Sequence, residues 1–199
     1  MSRLSPYWLW VLLSLPGLGA LMSIVNANDG AAIHNALHPT GEFAARFMII
    51  AMLASPLALA FRGRYGSGWL IRNRRYFGVA AFFYALAHTV LYVIDLGTLQ
   101  KIVSDLPALY IWTGWIAFII FIPLAVTSSD YFVRRMGRQW KRLQRAVYLA
   151  AVLTLLHWAA LHEWGGTGAA LVHFAPLALL ETYRLYQWRL RVKSTRAAA

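Results

Sequence analysis

Two histidines sit where an apolar chain has least use for a titratable ring. His88 lies in "YALAHTVLY", residues 84–92, and His157 in "VLTLLHWAAL", residues 152–161. A neutral imidazole can give one nitrogen to a metal while the other holds a hydrogen-bond acceptor. Two such rings on neighbouring helices make a possible axial pair for an iron; the plain alternative is two core histidines, each bonded to a neighbour. Cysteine is absent, which excludes a disulfide framework, a thiolate metal site, an iron–sulfur cluster and covalent haem attachment. Protein ligands to a metal must then come from histidine, with Met22, Met48 and Met52 as weaker candidates.

The other histidines and one arginine complete the chemical inventory. His162 follows His157 by five, about 140° around a straight helix, so the two do not serve the same iron from one helix. His173 enters the last apolar run and is the alternative to His157, or a neighbour of a cofactor edge. His34 and His38, four apart in "AIHNALHPTG", precede the second run, and Pro39 with no fixed acidic partner favours an outer-loop or partner-contact role over a metal site. Arg46 lies about one turn into the second run with Glu42 four residues earlier. It is either an i,i+4 ion pair with a snorkelling head or a cation for an acidic cofactor edge.

The elements that must position these residues are membrane helices. The chain is 60% hydrophobic with mean hydropathy +0.53, against roughly 45–50% apolar residues in soluble domains. Runs near the length of about 20 residues that crosses a hydrocarbon core fall at about 7–25, 43–61, 76–96, 108–127, 146–163 and 169–187. Short connections join them, with no clear internal repeat. The expectation is an all-α membrane protein: one six-transmembrane-helix domain over 1–199, its first run retained as a helix rather than removed as a leader.

The net charge of +12 is explained by where the charges lie. Arg3, then Arg62 to Arg75, then Arg134 to Arg145, then Arg184 to Arg196 put seventeen of nineteen basic residues on one side of such a bundle; Arg46 and Lys101 remain for the other. This is the positive-inside pattern, and it places both termini in the cytoplasm. Topology and contact with anionic lipid account for the basic loops, and no nucleic-acid role is needed. On that topology His88 and His157 each lie about twelve residues into an outward-running helix, roughly 18 Å deep at about 1.5 Å per residue. Equal depth on parallel helices favours the axial pair. Small residues share their faces, with Ala81 and Ala85 beside Tyr84 before His88, and Ala150 and Ala160 flanking His157. They leave room for a flat macrocycle, although alanine is also common wherever membrane helices cross.

At these residues the chain resembles the ferric reductase-like transmembrane superfamily, and within it the MsrQ/YedZ family of haem-binding membrane subunits. The resemblance rests on "HPTGEFAARF", "LIRNRRYFG", "ALAHTVLY" and the long block "LAVTSSDYFVRRMGRQWKRLQRAVYLAAVLTLLHW". It implies a bacterial inner-membrane b-type cytochrome that passes electrons outward from a cytoplasmic flavin reductase or from quinol. The acceptor it implies is a periplasmic molybdopterin subunit that repairs oxidised methionine, the electron-transfer chain itself not being the substrate-converting part. His88 and His157 match the family's haem ligands, Arg46 its basic residue in the second helix, and His38 a histidine of the same outer motif. Members linked to flavin mononucleotide suggest that Arg72, Arg74, Arg75 and Arg142 hold a flavin phosphate, or border a quinone.

One departure bears on stoichiometry. Two-haem members of the superfamily need a second histidine pair about thirteen residues from the first, and those positions here are Arg75 and Gln144. The expectation is one haem, in the outer half, with Tyr84, Trp140, Tyr148 or a bound flavin or quinone bridging the inner half. The 199 residues carry no dinucleotide fingerprint, so the expected donor is another molecule. The competing functions are an autonomous ferric or oxygen reductase and a non-redox transporter or scaffold. The missing nucleotide domain weighs against the first, and the lack of paired broken helices against the second.

Overall fold

The computed structural model describes residues 6–26, 31–61 and 66–197, with side chains throughout except at 6, 162 and 195–197. Arg3, Arg62, Arg64 and the side chains of His162 and Arg196 lie outside that description. Every regular element in it is an α-helix: α1 (Pro6–Val25), α2 (Ala32–Ala60), α3 (Ser67–Leu96), α4 (Leu99–Asp105), α5 (Leu109–Val126), α6 (Asp130–Met136), α7 (Arg138–Gln144), α8 (Val147–Ala159), α9 (Leu161–Trp164) and α10 (Thr167–Ala197). Among the described residues four helices, α1, α2, α3 and α5, are long and apolar enough to cross a membrane. The chain is a multi-pass membrane protein.

Several elements differ from the sequence reading: α3 starts at Ser67 rather than 76, which puts Arg72, Arg74 and Arg75 on a helix, and α10 runs on to Ala197 rather than 187. The second helix starts at Ala32 rather than 43, so His34, His38 and Glu42 stand on a helix and not in an outer loop. Pro39 lies inside it, as membrane helices allow, and beside it Thr40 Oγ1 donates to Ala36 O at 2.8 Å and Leu37 O at 2.9 Å. The fifth run is broken. α8 spans thirteen residues, a rise of about 20 Å, and gives way to α9, whose Glu163 and Trp164 take positive φ of 54° and 71°. His157 and His162 are therefore on separate helices, and the straight-helix phase argument between them does not apply.

Packing pairs α2 with α3 and α5 with α8 most extensively, with α10 crossing α2 and α8. The crossings are lined by buried Ala44, Ala45, Ala80, Ala81, Ala150 and Ala151. Small side chains let helix axes approach closely, the main source of cohesion where lipid is as apolar as the protein.

α1 is fastened by a splice. Pro16 lies inside it, and at the next residue the ladder opens to admit a side chain from α3. Gly17 N–H donates to Tyr84 Oη at 2.6 Å, and that hydroxyl donates to Leu13 O at 2.9 Å. The tyrosine thus bridges the i to i−4 bond that the helix would otherwise make itself. Gly17 is required by closeness, since a Cβ there would lie 3.1 Å from the hydroxyl. Tyr84→Phe is expected to lower stability in detergent by about 1–3 kcal/mol, the cost of leaving buried polar groups unmade. Thermal unfolding of the two proteins side by side checks this, and equal midpoints would count against the splice.

On the basic side α7 folds back to close the end of α5. Trp140 Nε1 donates to Thr127 O at 2.9 Å, and Gln144 Nε2 to Leu124 O at 3.1 Å and Thr127 Oγ1 at 3.2 Å. These donors serve carbonyls that a helix C-terminus leaves without intrahelical partners. Arg75 binds Asp130, and that hydrogen bond holds the Asp130 carboxyl below the usual carboxylate range.

Candidate metal centre

α3 and α8 bring the two buried-run histidines together. The rings of His88 and His157 have centroids 6.1 Å apart and planes at 84°. Each Nδ1 points at a main-chain carbonyl of the helix packed against it. His88 Nδ1 donates to Leu37 O of α2 at 2.9 Å, and His157 Nδ1 donates to Tyr110 O of α5. A carbonyl only accepts, so in both neutral rings the proton sits on Nδ1 and the lone pair on Nε2. No hydrogen bond engages either Nε2 among the described residues. That is the tautomer of a ligating histidine, with its far nitrogen tied to an acceptor that fixes the ring and raises its basicity.

The separation fits a shared metal. With Nε2 about 2 Å from an ion, as for imidazole ligands in general, and about 1 Å from its own ring centre, two rings on opposite sides of one ion have centroids about 6 Å apart. Among the described residues no cluster of three or more His, Asp or Glu side chains is placed to hold an ion. A pair of imidazoles without further protein ligands suits a metal that brings its own equatorial donors, as haem iron does.

Arg46 stands at the middle of α2 rather than one turn into it, in a polar cluster. It pairs with Glu42, and its Nε donates to His173 Nε2 at 3.2 Å. His38 Nε2 lies 3.9 Å from Glu42 Oε2. His173 donates through Nδ1 to Ala169 O at 2.8 Å and lies against the Trp158 ring, 4.8 Å between centroids. Both of its nitrogens are engaged, so His173 is not presented as a third ligand. The Glu42–Arg46 ion pair is present, and His38 joins it from α2.

Arg72, Arg74 and Arg75 line a cavity of about 560 Å³ on the basic side, with Met48, Met52, Phe121, Trp140 and Gln144. Arg142 is not among its lining residues; Lys141, Arg145 and Arg184 supply the remaining basic rim. Lys141 lies on α7 and Arg145 caps that helix, while Arg142 is rotated by about 100° from its neighbour Lys141. Sequence reasoning also missed the carbonyls of Leu37 and Tyr110, which carry no side-chain signal. It passed over Gly41 and Gly114 as well, although a Cβ at Gly41 would come within 3.0 Å of His88 and one at Gly114 within 2.7 Å of His157.

These features describe a membrane-embedded helical bundle with two facing histidines at its centre. The chain belongs to the ferric reductase-like transmembrane family, residues 40–155 matching the model described as ferric reductase like transmembrane component. Among its relatives, the protein-methionine-sulfoxide reductase heme-binding subunit MsrQ of Rhizobium meliloti is 35% identical over 76% of this chain and 69% of its own length. MsrQ of Agrobacterium fabrum is 36% identical over 74% and 67%. Magnetosome protein MamZ of Magnetospirillum gryphiswaldense is 36% identical over 75% of this chain, but the match spans only 23% of that longer protein. No solved structure matches the chain.

Proposed function

We propose that this chain is the haem-binding membrane subunit of a protein-methionine-sulfoxide reductase system in the bacterial inner membrane. On this reading it is a six-span bundle with both termini cytoplasmic, in which α8 and α10 join α1, α2, α3 and α5. Electrons enter from a cytoplasmic flavin reductase or quinol and leave to a periplasmic molybdopterin subunit. The observation that carries the reading is the paired Nδ1 anchoring of His88 and His157 at a separation of 6.1 Å.

Haem b, when bound, supplies a one-electron iron couple whose potential follows axial ligation and burial. The chain's own residues do the rest. His88 and His157 present Nε2 lone pairs, and the Leu37 and Tyr110 carbonyls hold the ring planes. The packed alanines keep the site out of water. The inner cavity, with Arg72, Arg74 and Arg75 on its rim, suits a phosphate-bearing flavin or a quinone as the carrier between the cytoplasmic face and the histidines. A purified sample should give a reducible Soret band and a b-type pyridine haemochrome; a colourless, correctly inserted protein would instead favour a transporter or scaffold.

Arg46 is the residue for a propionate, with Glu42 and His173 fixing its direction. A cation beside an anionic cofactor edge stabilises it by charge-assisted hydrogen bonds of about 1.5–3 kcal/mol. Arg46→Ala is expected to weaken haem retention about tenfold or more and to shift the midpoint potential. Unchanged retention and potential would leave the arginine as Glu42's ion-pair partner alone.

A further inference from the structure

The two histidine anchors have the same construction. On α2 the accepting carbonyl is Leu37, followed three residues later by Thr40 and four later by Gly41; on α5 it is Tyr110, followed by Thr113 and Gly114. Thr40 Oγ1 lies 2.8 Å from Ala36 O and 2.9 Å from Leu37 O. Thr113 Oγ1 lies 2.7 Å from Leu109 O and 3.2 Å from Tyr110 O. In each case one hydroxyl proton is shared between the carbonyl four residues back and the carbonyl that accepts the histidine. Both threonines are among the few buried polar side chains, 4% and 0% exposed. The glycine then leaves the space that the ring fills. A Cβ at Gly41 would lie 3.0 Å from Cε1 and Nδ1 of His88, and one at Gly114 2.7 Å from Nδ1 of His157.

We propose that Thr40–Gly41 and Thr113–Gly114 are matched positioning sites, each setting the orientation and basicity of one axial imidazole. The proposal rests on the reading of His88 and His157 as the haem ligands. Threonine bonding back along a helix bends it, and the bend turns the shared carbonyl off the helix axis toward the facing ring. The carbonyl accepts the imidazole N–H while the threonine proton is shared with the carbonyl one residue earlier. Stronger bonding at Nδ1 makes Nε2 a better donor, which favours ferric over ferrous iron. The glycine sets how far the ring sits from the helix, and with it the plane angle. The two sites differ in tightness: the α5 site has the closer glycine. They lie on the two most extensively packed helix pairs, α2 with α3 and α5 with α8, so each half of the bundle carries one histidine and one Thr–Gly support.

The test uses the full chain in detergent or nanodiscs. Nitrogen-15 histidine NMR of the haem-free protein should show both His88 and His157 as Nδ1–H tautomers; an Nε2–H ring at either position overturns the proposal without any variant. In the haem-loaded protein, Thr40→Val and Thr113→Val should each raise the midpoint potential and move the ferric low-spin EPR signal. Thr40→Ser and Thr113→Ser, which keep the hydroxyl, should return both toward the parent values. Gly114→Ala should disturb the EPR signal and speed haem loss more than Gly41→Ala. Valine variants with parental potential and EPR, or serine variants shifted as far as valine, overturn it, as does the reverse order of the two alanine variants. His88→Ala and His157→Ala separate the levels. If those retain haem the ligand reading itself fails, whereas loss of haem there with unshifted valine variants defeats the positioning sites alone.

Discussion

His88→Ala and His157→Ala are each expected to remove the Soret band almost completely while the chain still inserts. Each ring presents its lone pair because a main-chain carbonyl holds the other nitrogen, and on the proposed reading losing either would leave a bound haem with one protein ligand. Removing only an outer partner of a metal-bound histidine costs about 10–100-fold in metal affinity, so losing the histidine itself should cost more than that. Both positions lie in well-packed helices, α3 and α8, where a smaller side chain leaves a gap but no unpaired charge. Insertion should therefore survive, as membrane-fraction yield and the unfolding midpoint of the haem-free variants would report. Haem content by pyridine haemochrome, normalised to protein, is the measurement. Wild-type content in both variants would end the assignment. His173→Ala is the informative control: its nitrogens are engaged by Arg46 and Ala169, so its haem should be weakened through Arg46 and not abolished.

That His88 and His157 would meet was legible from the apolar runs that carry them. The count that put both about twelve residues in does not match the helix starts, since His88 lies twenty-one residues past Ser67 and His157 ten past Val147; helix packing, not equal counting, sets them side by side. The structure brings those two rings together and leaves His173 out of the pair. Local chemistry was harder to read. Pro39 suggested a loop, but the backbone continues as helix from Ala32 through it. The break after Ala159 had no proline to announce it. Arg142, which the family resemblance suggested for a flavin phosphate, is not among the residues lining the cavity, where Lys141 and Arg145 stand.

The two Thr–Gly supports show the limit most clearly. The dipeptide occurs a third time, at Thr167–Gly168, where Thr167 Oγ1 bonds Trp164 O at 2.7 Å as α10 begins and no histidine is served. What distinguishes the first two is a carbonyl three residues earlier that faces a ring on another helix. Main-chain acceptors are identical at every residue, so only tertiary packing selects which of them matter.

The inner half of the bundle leads to the second large expectation, one haem per chain. A second macrocycle in the family's usual stack would need ligands about one half-bundle inward of His88 and His157, where Arg75 and Gln144 stand. Both are committed elsewhere. Arg75 binds Asp130 across to α6, and Gln144 closes the C-terminal carbonyls of α5 through Leu124 O and the Thr127 hydroxyl. An arginine keeps its proton at any accessible pH, and an amide nitrogen is no donor to iron, so neither converts to a ligand by a change of rotamer. The cavity between them has a basic rim, which favours an anionic occupant over a second bis-histidine iron. Iron and pyridine haemochrome, each against quantitative amino-acid analysis of a homogeneous sample, should both give a ratio near one. A ratio near two would overturn this and require a further ligand set from Met48 or Met52, the soft donors on the cavity wall. Their substitution would then remove half the haem and leave the His88–His157 signal in place. With the ratio near one, reduction from the cytoplasmic side must cross the inner half through whatever the cavity holds. Substituting Arg72 and Lys141 should then slow that reduction while leaving the haem content unchanged.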